Sequence, residues 1–408
     1  MKVGERMSIF HIASDKKIKS GKTTDVYFAR TEEILEAEGK YDINVIAEVT
    51  SGSLPDDWLW GVLSGIDEVA ALFEDVPVNV WTLPEGTIFR PYDLDGVRVP
   101  LLVIEGPYGE FSSLETPMLG LLCHSSGVTT KSARVRKVAG DKNILAFGIR
   151  RMHPALAPML DRAAYVGGFD GVSSVAGAEE IGKEPMGTMP HALIIVFRDQ
   201  VEAWKAFDNH ISKDIPRIAL IDTYSDEKEE AIKAAEALKD KLDGVRLDTP
   251  SSRRGDFAKL VREVRWELDI RGFEHVDIVV SGGLDEYSIP PLIDAGAESF
   301  GVGTSVTNAP VMDLAMDIVE IDGEFAAKRG KLGGRKEVWR CMDCLGNIVT
   351  VADVEKPKCS ECGGETESAL ELLVEDGEIV KDLPSPDEVR GRVIDQLKNF
   401  ELDLSDAS

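Results

Sequence analysis

From Ile144 onward the chain alternates short apolar runs with longer amphipathic stretches, and this alternation is its most regular feature. The runs are ILAFGI (144–149), the segment ending at Gly171, HALIIVF (191–197), RIALIDT (217–223), GVRLDT (244–249), DIVVSG (277–282) and SFGVGT (299–304). Each reads as a strand. Between them lie PALAPMLDRAAYVGG (154–168), DEKEEAIKAAEALKDKLD (226–243) and GDFAKLVREVRWELDIRG (255–272), with apolar residues at helical spacing. Strand and helix alternating at this pace predict a parallel sheet, and the number of units without a reversal predicts an α/β barrel.

The first third has another texture. Thr23-Thr24-Asp25 offers capping side chains ahead of a helix over 26–39 that Gly39 stops. A strand follows over 43–51, a helix over 56–75, and strands over 76–83, 87–91 and 97–106. From Glu115 to Gly140 a long helical segment bridges to the barrel pattern, with Gly127 as a possible break. After Thr307 the pattern returns to strands, passes a basic glycine-rich stretch AAKRGKLGGRK, and ends in a helix. The predicted architecture is therefore α/β, with an N-terminal α+β sheet domain (1–115), a barrel (116–305) and a C-terminal region (306–408).

Four of the five cysteines fall as Cys341-x2-Cys344-x14-Cys359-x2-Cys362. This spacing predicts a zinc ribbon, because four thiolates close a tetrahedral shell around Zn²⁺. Cys123, in LGLLCH, reads as a buried free thiol. Lys plus Arg number 46 against 73 Asp plus Glu, a net charge of −27. That sign opposes binding to nucleic acid or to anionic lipid. With no run of eighteen apolar residues and no apolar signal core near Met1, a cytoplasmic protein is expected.

Polar residues stand at the C-terminal tips of the predicted strands: Arg150, Asp170, Asp222-Thr223, Arg246 with Asp248, Ser281-Gly282-Gly283, and Gly301 to Thr304. In a parallel barrel these tips converge on one face. Each aspartate alone is equally a helix cap, and together they point to one site. The glycines Gly282, Gly283, Gly301 and Gly303, with Thr304, offer backbone amides to a phosphate. His191 follows the turn Gly187-Thr188-Met189-Pro190 and reads either as a structural histidine or as a nucleophile at the edge of a cleft.

GGFDG (167–171), SSVAG (173–177) and GTMPH (187–191), in this order, resemble the centre of the nicotinate phosphoribosyltransferase family, and the resemblance extends from about Lys17 to Ser305. It implies an incomplete α/β barrel of the type II phosphoribosyltransferase kind and ATP-coupled transfer of phosphoribose from phosphoribosyl pyrophosphate to nicotinate, with Mg²⁺ accompanying the donor. By motif it carries the phosphorylated histidine to His191. It carries carboxylates that stabilise the ribose to Asp222 and Asp248, and the facing arginine to Arg246. Arg150 in AFGIR becomes the pyrophosphate or substrate arginine, Phe147 one face of a ring sandwich, and Tyr27 the other face, supplied by a neighbouring subunit. Asp170 is carried to the base pocket, and Thr188 and Ser281 to substrate binding beside the glycines. A homodimer or a higher assembly of dimers follows from Tyr27.

Two other readings stand beside this one. Ser125-Ser126-Gly127 and Thr129 resemble the corresponding helix of quinolinate phosphoribosyltransferases, a decarboxylating sister family. The cysteine ribbon also suits a nucleic-acid-binding protein, which the charge opposes. No GxxxxGK[ST] loop is present for ATP, which excludes only that architecture.

Overall fold

The computed structural model describes residues 10–352 and 354–402. By its internal contacts the chain gathers into two units: residues 131–309 form one, and the residues up to Thr130 together with those from Pro310 form the other. The sequence pattern suggested divisions near 115 and 305; the C-terminal strands belong with the N-terminal ones.

In residues 131–309 six strands run parallel: β1 (Asn143–Ala146), β2 (Gly171–Val172), β3 (Ile218–Leu220), β4 (Gly244–Leu247), β5 (Asp277–Ser281) and β6 (Ser299–Val302). Their order is β2-β1-β6-β5-β4-β3. Ile144, Val245, Ile278, Val280 and Phe300 are fully buried, which is why these strands read as continuous apolar runs. Among the described residues β2 and β3 do not pair, so the sheet is open and hydrogen bonds close no barrel.

The gap falls where HALIIVF was expected to supply a strand. His191–Phe197 is instead a short helix, with extended Pro190 before it and Arg198 in the left-handed region after it. Only Ile194 is buried, while Ile195, Val196 and Phe197 are exposed. An apolar run of seven residues does not discriminate strand from helix by periodicity, and the flanking backbone decided it.

In the other unit a seven-stranded sheet is antiparallel where its pairings are defined, with strands in the order Glu324–Phe325, Leu314–Ile321, Asn44–Ser51, Leu102–Pro107, Asn79–Thr82, Glu371–Glu375, Glu378–Ile379. The C-terminal strands thus flank the N-terminal ones on both sides. The strand Asn44–Ser51 is buried at every position except Asn44: Val45, Ala47 and Val49 enter the main core, and Ile46 packs with Val103 and Val319. Its one charged residue, Glu48, is paired with Lys336 at 2.8 Å.

Residues 56–75 were expected to form one helix; only Ile66–Phe73 does. Gly61–Val62 pairs instead with Ile88–Phe89, and side chains of the long helix take the intervening amides, Thr130 Oγ1 from Val62 N and Ser126 Oγ from Ser64 N. Gly65 then turns through φ 90° into the helix. The long helix Glu115–Ala139 is continuous through Gly127. A Cβ there would lie 2.3 Å from the Pro310 carbonyl oxygen, so glycine at 127 permits close approach and is no break. Among the described residues no helix is long and apolar enough to cross a membrane.

Candidate functional site

The C-terminal ends of the parallel strands surround a cavity of about 640 Å³. Of the residues singled out in the sequence, Phe147, Arg150, Thr188, His191, Arg246, Asp248, Ser281, Gly282, Gly283, Gly301, Gly303 and Thr304 line it. A parallel sheet points all strand ends one way, so side chains far apart in sequence converge there.

Arg246 is the most connected. Its Nε donates to Ser281 Oγ at 3.0 Å, Nη1 to Thr188 Oγ1 at 2.8 Å, and Nη2 lies 3.1 Å from Asp248 Oδ2. The guanidinium also stands 5.2 Å above the centre of the Phe147 ring. Ser281 Oγ in turn donates to Asp248 Oδ1 at 2.8 Å, so these groups hold one another in a fixed geometry. Gly301 leaves room for Phe147, whose ring carbon would lie 2.3 Å from a Cβ at that position.

His191 begins its helix with the imidazole half-exposed. Nε2 lies 3.6 Å from Asp222 Oδ1 and 3.9 Å from Asp248 Oδ2, and Nδ1 is 3.1 Å from Thr223 Oγ1. Asp222 sits beneath the cavity with its side chain only 2% exposed. Its Oδ2 accepts from Asp248 N at 3.2 Å, while buried Oδ1 has no hydrogen bond. Burial pushes the Asp222 carboxyl up to about 6; the neighbouring His191 opposes the rise and Asp248 adds to it. A buried carboxylate oxygen that makes no hydrogen bond and faces an imidazole at 3.6 Å suits a histidine that becomes positively charged or a hard cation that takes oxygen ligands.

The phosphate end is built from backbone. Gly282 and Gly283 have φ of 94° and 70°, values that favour glycine, and Gly303 precedes the turn Thr304–Thr307. The N–H groups that open this turn have no partner within it.

One residue expected at this cavity, Asp170, lies elsewhere, and Tyr27, expected from a second chain, sits on the other unit. Asp170 does not line the cavity: its carboxylate pairs with Arg136 and accepts from Ile144 N at 2.9 Å, at the opposite, N-terminal end of β1. It begins a strand that runs toward the site, and the GGFDG motif could not distinguish the two ends. Tyr27 is also absent from the lining; it lies on the helix Val26–Ala37 in the other unit, 57% exposed, with its ring 4.4 Å from that of Phe28.

Sequence reasoning gave no site role to Arg151, Ser173, Met186 and Met189, all of which line the cavity. It also missed Glu230, fully buried, whose carboxylate accepts from the amides of Thr223, Tyr224 and Ser225 at 3.2, 2.8 and 2.6 Å. An acidic residue in the first helical turn after IDTY was the available signal, and this one shapes the loop that carries Thr223 to His191.

The four ribbon cysteines form a second cluster. Cys341 and Cys362 Sγ are 3.4 Å apart, Cys344 and Cys359 Sγ 3.6 Å, and all four sulfurs lie within 4.8 Å of one another. Disulfides are excluded at these separations. Zn–S bonds of about 2.3 Å place tetrahedral sulfurs roughly 3.8 Å apart, so the cluster fits a four-thiolate metal site.

The family model described as Quinolinate phosphoribosyl transferase, N-terminal domain, matches residues 25–126, and its C-terminal domain model matches residues 128–317. The chain is 30% identical over 371 residues to the nicotinate phosphoribosyltransferase pncB1 of Mycobacterium tuberculosis, with 82% of this chain and 81% of that protein covered. With pncB2 of the same organism it shares 32% identity over 289 residues, 66% of this chain but only 59% of the relative's length. The crystal structure of nicotinate-nucleotide pyrophosphorylase from Pyrococcus furiosus is similar at a TM-score of 0.93 and 52% identity, over 98% of this chain and 100% of that one.

Proposed function

The chain belongs to the nicotinate phosphoribosyltransferase family, and from that premise we propose that it transfers phosphoribose from phosphoribosyl pyrophosphate to nicotinate, yielding nicotinate mononucleotide and pyrophosphate for NAD synthesis. The observation that carries this reading is the meeting, in one cavity, of glycine amides, a Phe147–Arg246 stack and a histidine held between two carboxylates.

In this reading the donor's 5′-phosphate rests on the amides of Gly283, Gly303 and Thr304, as anions do at such turns. Nicotinate lies against Phe147, and its carboxylate meets an arginine fork, which suits two oxygens better than an amide. The pyridine nitrogen forms a bond to C1 of the ribose as the C1–O bond breaks, and the electron pair leaves with pyrophosphate. Arg150 receives that charge. Asp248 and Asp222 stabilise the cationic sugar while it exists. The same carboxylates suit Mg²⁺, which when bound with the donor neutralises the leaving pyrophosphate.

His191 is the phosphate acceptor from ATP. ATP gives its γ-phosphate to the imidazole and ADP leaves, and later hydrolysis of the phosphohistidine releases inorganic phosphate; the carboxylates beside Nε2 orient the ring and stabilise it when charged, so that these steps are coupled to transfer. Tyr27, exposed on its own unit, is supplied to the ring site of a second chain, and the active form is a dimer or an assembly of dimers; a fully active monomer would overturn this. The ribbon carries a structural Zn²⁺, since four thiolates leave no open position for water. The reaction is assigned to the cytoplasm.

A decarboxylating reaction with quinolinate is the second reading, favoured by Arg151 beside Arg150 at the cavity and by the description of the matching domain models. A steady-state assay with nicotinate, nicotinamide and quinolinate, each with and without ATP, separates the readings. Nicotinate should be the substrate and ATP should accelerate it, whereas His191→Ala should retain slow transfer and lose the ATP effect. Turnover of quinolinate with release of CO₂ would replace the first reading by the second.

A further inference from the structure

Behind the glycine pair, outside the cavity lining, lies Arg254. It ends the short helical turn Ser251–Arg254 in the loop that follows β4, and its side chain is half-buried. Nη1 donates to the Gly282 carbonyl oxygen at 2.6 Å, and the guanidinium stacks 4.5 Å above the centre of the Phe257 ring. Phe257 is buried at the start of the helix Phe257–Asp269, so the arginine is braced from the core side.

The geometry of the peptide gives this contact a consequence. In a trans peptide the carbonyl of one residue and the N–H of the next point in opposite directions. Holding the Gly282 oxygen toward Arg254 therefore turns the Gly283 N–H away from it, and that N–H has no hydrogen-bond partner among the described residues. Both glycines sit at positive φ, where the peptide between them would otherwise turn over at little cost. On the other side of Gly282, a Cβ would lie 3.3 Å from Asp248 Oδ1. A peptide turned over would bring its carbonyl dipole toward that carboxylate and toward an incoming phosphate.

We infer that Arg254 is a positioning residue for the phosphate end of the cavity: by clamping the Gly282 carbonyl it fixes the orientation of the Gly282–Gly283 peptide and presents the Gly283 amide to the phosphate monoester of the ribosyl donor. This rests on the phosphoribosyl-transfer reading and names a residue for it. Because Arg254 touches neither the base nor the bond that breaks, it acts on donor affinity and leaves the chemistry alone.

The test uses the full-length protein and ribose 5-phosphate as probe, measured by calorimetry, with kinetics alongside. Arg254→Met keeps the stem over Phe257 and removes the donor. It should weaken ribose 5-phosphate binding and raise the KM for phosphoribosyl pyrophosphate about tenfold, with the nicotinate KM and kcat within about twofold of wild type. Arg254→Lys retains charge and one donor and should recover most of the affinity; it also carries the test if the methionine variant does not fold. Unchanged ribose 5-phosphate affinity in a folded Arg254→Met chain overturns the inference, as does equal loss of affinity in the lysine and methionine variants. A wild-type chain that binds no ribose 5-phosphate overturns the transfer reading itself, an outcome distinct from either.

Discussion

Buried carboxylates are handled differently in the two units, and the contrast separates stability from chemistry. In the antiparallel unit Glu48 and Asp317 are almost wholly buried and each meets ammonium groups: Glu48 has Lys336 at 2.8 Å, and Asp317 has Lys328 at 2.6 Å and Lys331 at 2.5 Å. Lys336 spends its remaining donors on the carbonyls of Leu332 and Gly334. At the cavity, Asp222 is as deeply buried but meets an imidazole at 3.6 Å, where Asp317 meets two ammonium groups within 2.6 Å. Closed pairs hold a fold together, whereas an open one marks where a ligand or a transient charge is meant to go. Within the parallel unit, too, a carboxylate outside the cavity lining is closed: Asp208, paired with Lys213, Arg217 and Lys241, is held well below the usual carboxylate range by those donors.

The contrast breaks first in stability. Lys336→Met leaves Glu48 buried without its ion-pair partner, and unfolding measurements should show a loss of about 3–5 kcal/mol while KM for both substrates stays put. Replacing Glu48 by Leu in the same chain should recover most of that loss; a failure to recover would mean that Lys336 acts through its carbonyl contacts. Asp248→Asn, by contrast, should leave the melting temperature nearly unchanged and, on the proposed reading in which it stabilises the sugar cation, lower kcat by about 10²-fold. A large drop in melting temperature with intact kcat would reclassify Asp248 as a structural residue.

The smallest effect sharpens the comparison through pH. With Asp222 raised to about 6, its carboxylate is lost as pH falls through that value, so turnover should decline below pH 6. Stability runs the other way. A carboxyl whose folded pKa lies above its unfolded value favours folding below about pH 4, and that contribution is lost as pH rises through about 6. The melting temperature of Asp222→Asn relative to wild type should therefore rise between pH 4 and pH 7. A flat difference would show that the buried oxygen costs the fold nothing.

How much of this was legible before the fold depends on the kind of signal. Residues at the ends of apolar runs, such as Asp222, Asp248 and Ser281, were readable because a parallel sheet brings every such end to one face. The cysteine spacing was equally readable, since ligand geometry limits the loop between paired thiolates. Arg151, Glu230 and Arg254 were not: an arginine or glutamate on a loop has the same local text whether it faces solvent, clamps a carbonyl or lines a cavity. Asp170 was placed at the wrong end of its strand for the same reason.

By itself, then, the sequence determined the alternation of strands and helices, the candidate site on the strand ends and the four-cysteine cluster, because each depends on short-range spacing and on side-chain chemistry. Tertiary structure decided the rest. The apolar segment after Pro190 became an exposed-faced helix rather than a strand, and residues 61 to 65 are not helical, their amides going to Thr87, Glu85 and the long helix's Thr130 and Ser126 while Gly61–Val62 pairs with Ile88–Phe89. The strands after Pro310 joined those before Thr130, since hydrogen-bonded edges are completed by whichever chain segment reaches them, however distant in sequence.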